Sequence, residues 1–97
     1  MKLFVSQPMR NKTDEEILKT REKAVKLAEM KYGEKFEIID SFFGTSDMTR
    51  ALEYLGESIK MLAHADVAVF VGDWQHARGC KIEHECAIEY GIKTMYF

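Results

Sequence analysis

Glu83 is the residue around which chemistry in this chain can be organised. With Cys86, Ala87 and Tyr90 it falls at i, i+3, i+4 and i+7, so a carboxylate lies on an otherwise mainly apolar helical stripe. Ahead of it, Asp66 to Val71 reads as a buried strand and Gly72 to Gly79 as a loop, with a helix expected to begin near Cys80. That start puts Glu83 in the first turn, where the helix dipole favours the ionised form. Open α/β folds bind their ligands where such strands end. A carboxylate there either acts on a bound ligand or only caps its helix. Glu85 and Glu89 form a separate i, i+4 pair with the pattern of a solvated face.

Other polar groups fall at comparable places. Arg10 and Lys12 precede a helix start, where a cation and free backbone N–H groups together suit a phosphate or carboxylate; two solvated basic residues in a turn are the plainer alternative. Asp40 lies near the carboxyl end of a second apolar segment, placed to accept from sugar hydroxyls or to cap a turn. Phe42 and Phe43 either wall a pocket for a flat ring or join the core. Asp73 and Trp74 stand in the central loop. Cys80 and Cys86, six apart on one helix, are separated by roughly 9 Å along its axis, too far for a disulfide. His76, Cys80 and His84 have ligand-like spacing, but His76 precedes the helix and no fourth ligand is evident, so neither metal nor cofactor is expected.

Regular elements must position these groups. Lys2 to Ser6 reads as a strand ended by Pro8, with Asn11 suited to a left-handed turn. Thr13-Asp14-Glu15-Glu16 is a capping box opening a helix whose apolar positions are Ile17, Leu18, Ala24, Val25, Ala28 and Tyr32, with Gly33 as the stop. Phe36 to Phe43 reads as a second strand. Thr49 to His64 reads as a helix with Leu52, Leu55, Ile59 and Leu62 on one face, and Gly56 marks a break or a close approach. Ile92 to Phe97 makes a last strand. The order βαβαβαβ predicts a small Rossmann-like or flavodoxin-like three-layer α/β fold with a mainly parallel sheet of about four strands.

At 97 residues the chain is one domain, 1–97, with a core small enough to gain from self-association, so a homodimer or higher homo-oligomer is expected. The net charge of -2 offers no basic excess for a nucleic-acid backbone. No apolar run approaches the roughly 20 residues that span a bilayer, and no signal-peptide pattern opens the chain, so a cytoplasmic location is expected.

Two sets of residues carry a family resemblance over nearly the whole chain. Asp66 in an Ala-Asp step into the third strand, followed by Gly79-x-x-x-Glu83-x-x-x-Ala87, resembles the signature of the nucleoside 2-deoxyribosyltransferase superfamily, which includes deoxynucleoside 5′-monophosphate N-glycosidases. Ser6-Gln7-Pro8-Met9-Arg10-Asn11 resembles the phosphate-binding loop of the glycosidase branch. Together with Tyr54-Leu55-Gly56-Glu57-Ser58 and the run from Arg78 to Glu85, it is similar to short bacterial and phage members.

The resemblance implies a small-molecule nucleoside or nucleotide as ligand. It makes Glu83 the nucleophile at C1′ and Arg10 a phosphate contact, with Ser6, Gln7, Met9, Ser58 and Gly79 around the substrate; Asp40 joins them from its own placement, and Trp74 either stacks on a base or serves as a lid on the core or in a subunit contact. Ser58 stands where the enzymes carry an aspartate that helps to protonate or position the base, and Asp73 is the substitute acid. A nucleotide-binding module without turnover, sensing a nucleotide or an ADP-ribose-like signal, is the alternative from a different functional class.

Overall fold

The computed structural model describes residues 1–39 and 50–97. Its element order is β1 (Lys2–Ser6), α1 (Asp14–Tyr32), β2 (Glu37–Ile38), α2 (Ala51–Leu62), β3 (Val67–Phe70), α3 (Arg78–Glu89) and β4 (Lys93–Tyr96), with a short 3-10 turn over Trp74–His76. All three strand pairings are parallel, and the sheet runs β2-β1-β3-β4. This is the α/β fold that the alternating elements predict. None of the helices in the described residues is long and apolar enough to cross a membrane.

Alternation along the central strands divides the core into two layers. Leu3, Val5, Val67, Val69, Val71 and Met95 pack on one face against Ala24 and Ala28 of α1 and against Phe36. Phe4, Ala68 and Phe70 pack on the other face against Leu62 of α2 and Ala87 of α3. Because successive side chains leave opposite faces of a strand, Ser6 shares the face of Phe4 and looks toward α2 and α3. Both faces are covered, which is why β1 and β3 read as continuous apolar runs. At the other end of the same strands, Asp66 Oδ2 accepts from the Lys2 N–H at 2.7 Å, so Asp66 ties the start of β1 to β3.

The local signals at α1 act as its sequence predicts. The Thr13 hydroxyl accepts from the Glu16 N–H at 3.1 Å and itself donates to the Glu16 carboxylate at 3.2 Å. Asn11 takes the left-handed conformation at φ 64°, and Gly33 ends the helix at φ 67° with its N–H donating to Glu29 O. Thr13→Ala should cost about 1 kcal/mol of stability through the lost cap, readable as a lower denaturation midpoint with an unchanged m-value.

Several expectations are corrected. Leu18, Leu52 and Tyr90 lie 41%, 76% and 84% exposed, outside the buried stripes assigned to them. The line that α1 buries runs through Ile17, Ala24 and Ala28, where two alanines let the helix lie close to the sheet. Gly56 does not break α2, which runs unbroken through it, and among the described residues no atom outside its own helix backbone lies within 4 Å of where a Cβ would be. Among the described residues, the second strand contributes Glu37 and Ile38 to the ladder. Asp40, Phe42, Phe43 and the segment 44–49 lie outside the described residues.

Candidate active site

The strand order reverses between β1 and β3, and open α/β sheets bind ligands beyond the carboxyl ends of the strands at such a switch point. A cleft of about 300 Å3 opens there. Its walls come from three places: Gln7, Pro8 and Met9 after β1; Ala51, Tyr54, Leu55 and Ser58 on α2; and Ala77, Gly79, Cys80 and Glu83 at the start of α3. The α2 contribution falls at i, i+3, i+4 and i+7, one face of a helix.

Glu83 forms the polar floor of this cleft. It is only 7% exposed, and the Ser6 hydroxyl donates to its Oε1 at 2.6 Å. That length is typical of a hydroxyl donating to a charged carboxylate. Burial pushes the Glu83 pKa up, while hydrogen bonds from Ser6 and Ser58 pull it back down. The side chain is thus anchored from the end of β1, while Ser58 lines the same cleft from α2.

This differs from the dipole argument made from sequence. Helix α3 starts at Arg78 rather than near Cys80, so Glu83 sits in its second turn. Dipole stabilisation fades beyond the first turn, and desolvation decides the direction of the shift instead. Ser6→Ala should therefore raise the Glu83 pKa further, which a carboxyl-carbon NMR titration would register as a midpoint moved to higher pH; an unmoved midpoint would deny the bond its role.

Of the candidate residues, the fold gathers Gln7, Met9, Ser58, Gly79 and Glu83 around one cleft, with Ser6 bonded to Glu83 from behind. The Gln7 amide is buried: Nε2 donates to Ile17 O at 3.1 Å, tying the loop to α1, and Oε1 has no partner among the described residues. Arg10 is exposed in the turn beyond Met9 and is not part of the cleft wall. Asp73 is also exposed and outside that wall.

Trp74 is engaged elsewhere. It lies tilted against His84 at 4.1 Å between ring centroids, near Phe70, and stacks on Tyr96 at 5.8 Å, while His84 Nε2 sits 2.7 Å from the Tyr96 hydroxyl. His76, Cys80 and His84 consequently point to three different surroundings: an exposed turn, the cleft and the aromatic cluster. Asp40 lies outside the described residues.

Residues 1–96 match the family described as "Domain of unknown function (DUF4406)". The chain belongs to this family. No curated protein and no solved structure gives a significant match to it.

Sequence reasoning missed part of the wall of this DUF4406 site. Ala51, Tyr54 and Leu55 line the cleft, as do Pro8, Ala77 and Cys80. The i, i+3, i+4, i+7 spacing of Ala51, Tyr54, Leu55 and Ser58 was available as a signal, but it competes with the more apolar series Leu52, Leu55, Ile59 and Leu62.

Proposed function

We propose that this chain breaks or transfers the N-glycosidic bond of a nucleoside or nucleotide, with the Glu83 carboxylate as nucleophile at C1′. The observation that carries this reading is the buried Glu83, set in a largely apolar cleft at the sheet's switch point and held by the Ser6 hydroxyl. A carboxylate so placed has the two properties that covalent glycosyl transfer needs: a fixed direction of attack and a surrounding from which water is largely displaced.

Attack at C1′ forms a glycosyl ester as the C1′–N bond breaks and its electron pair leaves with the base. Water or a second base then attacks C1′ and releases the carboxylate. Tyr54, Leu55, Pro8 and Met9 supply apolar surface against which the base can lie. Arg10, the residue after the cleft-lining Met9 in sequence and exposed, is the phosphate contact in this reading.

The alternative is a nucleotide-binding module that keeps the pocket without turnover. It is favoured by Ser58, which hydrogen bonds to Glu83 where an acid would be needed to assist the leaving base. The two readings separate on one experiment. The purified protein is incubated with ribo- and deoxynucleosides and their 5′-monophosphates, with and without free base, and released or exchanged base is followed by chromatography. Glu83-dependent release or exchange supports the enzyme. Saturable binding in calorimetry without turnover supports the module.

Self-association is part of the proposal, in a cytosolic setting. Helix α2 buries only Leu62 within its own chain. Grooves between α2 and α3 at Leu52, Leu55 and Ile82, and at Ile59, Cys86 and Tyr90, leave apolar surface for a second copy. Sedimentation equilibrium should show a dimer or larger species; a monomer at high concentration would remove this part.

A further inference from the structure

Glu83 is the one carboxylate in the described wall of the cleft, and what surrounds it there is uncharged. The Ser6 hydroxyl donates to its Oε1 at 2.6 Å, Ser58 and Tyr54 line the wall from α2, and Pro8, Met9 and Leu55 are apolar. Among the described residues, no lysine, arginine or histidine lines this cleft. A buried carboxylate is ordinarily paired with a cation or neutralised by a proton. Burial pushes the Glu83 pKa up, and hydroxyls rather than a basic side chain oppose that push. An acid so placed among apolar surfaces is complementary to a flat cation with apolar faces.

The same wall bears on how a base leaves. When the C1′–N bond breaks, its electron pair goes to the base. A neutral purine or pyrimidine needs a proton at that moment, whereas a base that is already positive leaves neutral. Besides Glu83 itself, the side chains of the described wall that carry an O–H or S–H are Ser58, Tyr54 and Cys80, and hydroxyls and thiols are weak acids as a class. Burial, and then the neighbouring Glu83 charge, push the Cys80 thiol from 9.0 up to about 11, which makes it a weaker acid still. Asp73 is exposed and outside the wall.

We infer that the substrate is a riboside or deoxyriboside whose base carries a fixed positive charge, a pyridinium or an N7-alkylated purine, with Glu83 as both its counter-ion and its nucleophile. This names the substrate class of the glycosidase reading and rests on that reading. Glu83 attacks C1′ as the C1′–N bond breaks, the bonding pair neutralises the ring, and the base departs without taking up a proton. Water then attacks C1′ and frees the carboxylate. One water proton passes to solvent, which balances the charge lost from the base. Tyr54 places an aromatic ring in the same wall, and such rings attract cations over their faces. A cleft of about 300 Å3 lies at the small end of ligand pockets, the scale of a nucleoside.

The test compares matched bases. N7-methylguanosine is set against guanosine, and nicotinamide riboside against adenosine, with released base followed by chromatography in the wild type and in Glu83→Gln. The kcat/KM for each cationic compound should exceed that of its neutral counterpart by roughly a hundredfold or more, the scale of what a general acid contributes to the departure of a neutral base. Turnover should be lost in Glu83→Gln. A smaller ratio would overturn the inference and leave the glycosidase reading standing.

Should nothing be turned over, binding decides. The cation 1-methylnicotinamide and neutral nicotinamide are titrated by NMR into both proteins at slightly alkaline pH. The cation should bind the wild type about fivefold more tightly or better, the upper end of what even an exposed ion pair contributes, and Glu83→Gln should bring the two ligands level. In that case the glycosidase reading falls and the cationic ligand stands. Without a Glu83-dependent preference, both fall.

Discussion

Glu83→Gln is expected to stop base release and exchange, lowering turnover by about four orders of magnitude or more, as removal of a covalent nucleophile does. The amide keeps the volume of the carboxylate and can still accept from the Ser6 hydroxyl, so ligand binding in calorimetry should survive. That split between binding and turnover is the result to look for. Turnover that persists in the glutamine variant would remove Glu83 from the chemistry.

The raised Glu83 pKa adds two consequences with defined signs. The proposed nucleophile must be ionised, so activity should climb with pH along an acidic limb that lies above the ordinary carboxylate range. Stability should move the other way. The folded state holds this proton more tightly than the unfolded chain does. The stability linked to it is therefore fully present below the ordinary carboxylate pKa and is lost as pH rises through the elevated one. Glu83→Gln removes this dependence, and the variant should be more resistant to denaturant than the wild type at neutral pH.

The second large effect belongs to Phe70→Ala. Phe70 is fully buried at the end of β3 and meets His84 edge-on at 4.9 Å between centroids, Trp74 at 5.6 Å and Tyr96 at 6.2 Å. Truncating such a phenylalanine costs about 3–5 kcal/mol through lost burial and an incompletely closed cavity. A domain of this size commonly has roughly 5–15 kcal/mol in total, so the variant should lie near the edge of folding. Urea denaturation measures the loss directly. A cost below about 1 kcal/mol would mean that the aromatic cluster rearranges to fill the space, since a rigid cavity does not allow so small a value.

Much of this molecule was legible residue by residue where the signal is local. The bounds of β1, the left-handed Asn11, the Thr13 cap and the Gly33 stop each depend on a few adjacent atoms, and the structure shows each as read. Helix faces were less legible. Leu52 and Tyr90 have the spacing of buried positions and yet lie in solvent, because spacing defines a face without saying whether another element covers it. The start of α3 at Arg78 was two residues off, a small error that mattered, since it moved Glu83 from a dipole-dominated position to a burial-dominated one.

What the amino-acid sequence determined by itself was the order of elements, the parallel α/β class and the presence of a carboxylate on an apolar stripe near a strand end. These follow from periodicity, caps and turn residues, which act over a few residues of chain. Only the tertiary structure decided that β1 and β3 are neighbours, that Ser6 and Glu83, 77 residues apart, share a 2.6 Å bond, and that Asp73 and Trp74 stand away from the cleft. Such relations depend on which strand pairs with which and on how each helix is rotated about its axis. Both are settled by burying the two faces of the sheet together, a condition on the whole chain that no local pattern encodes.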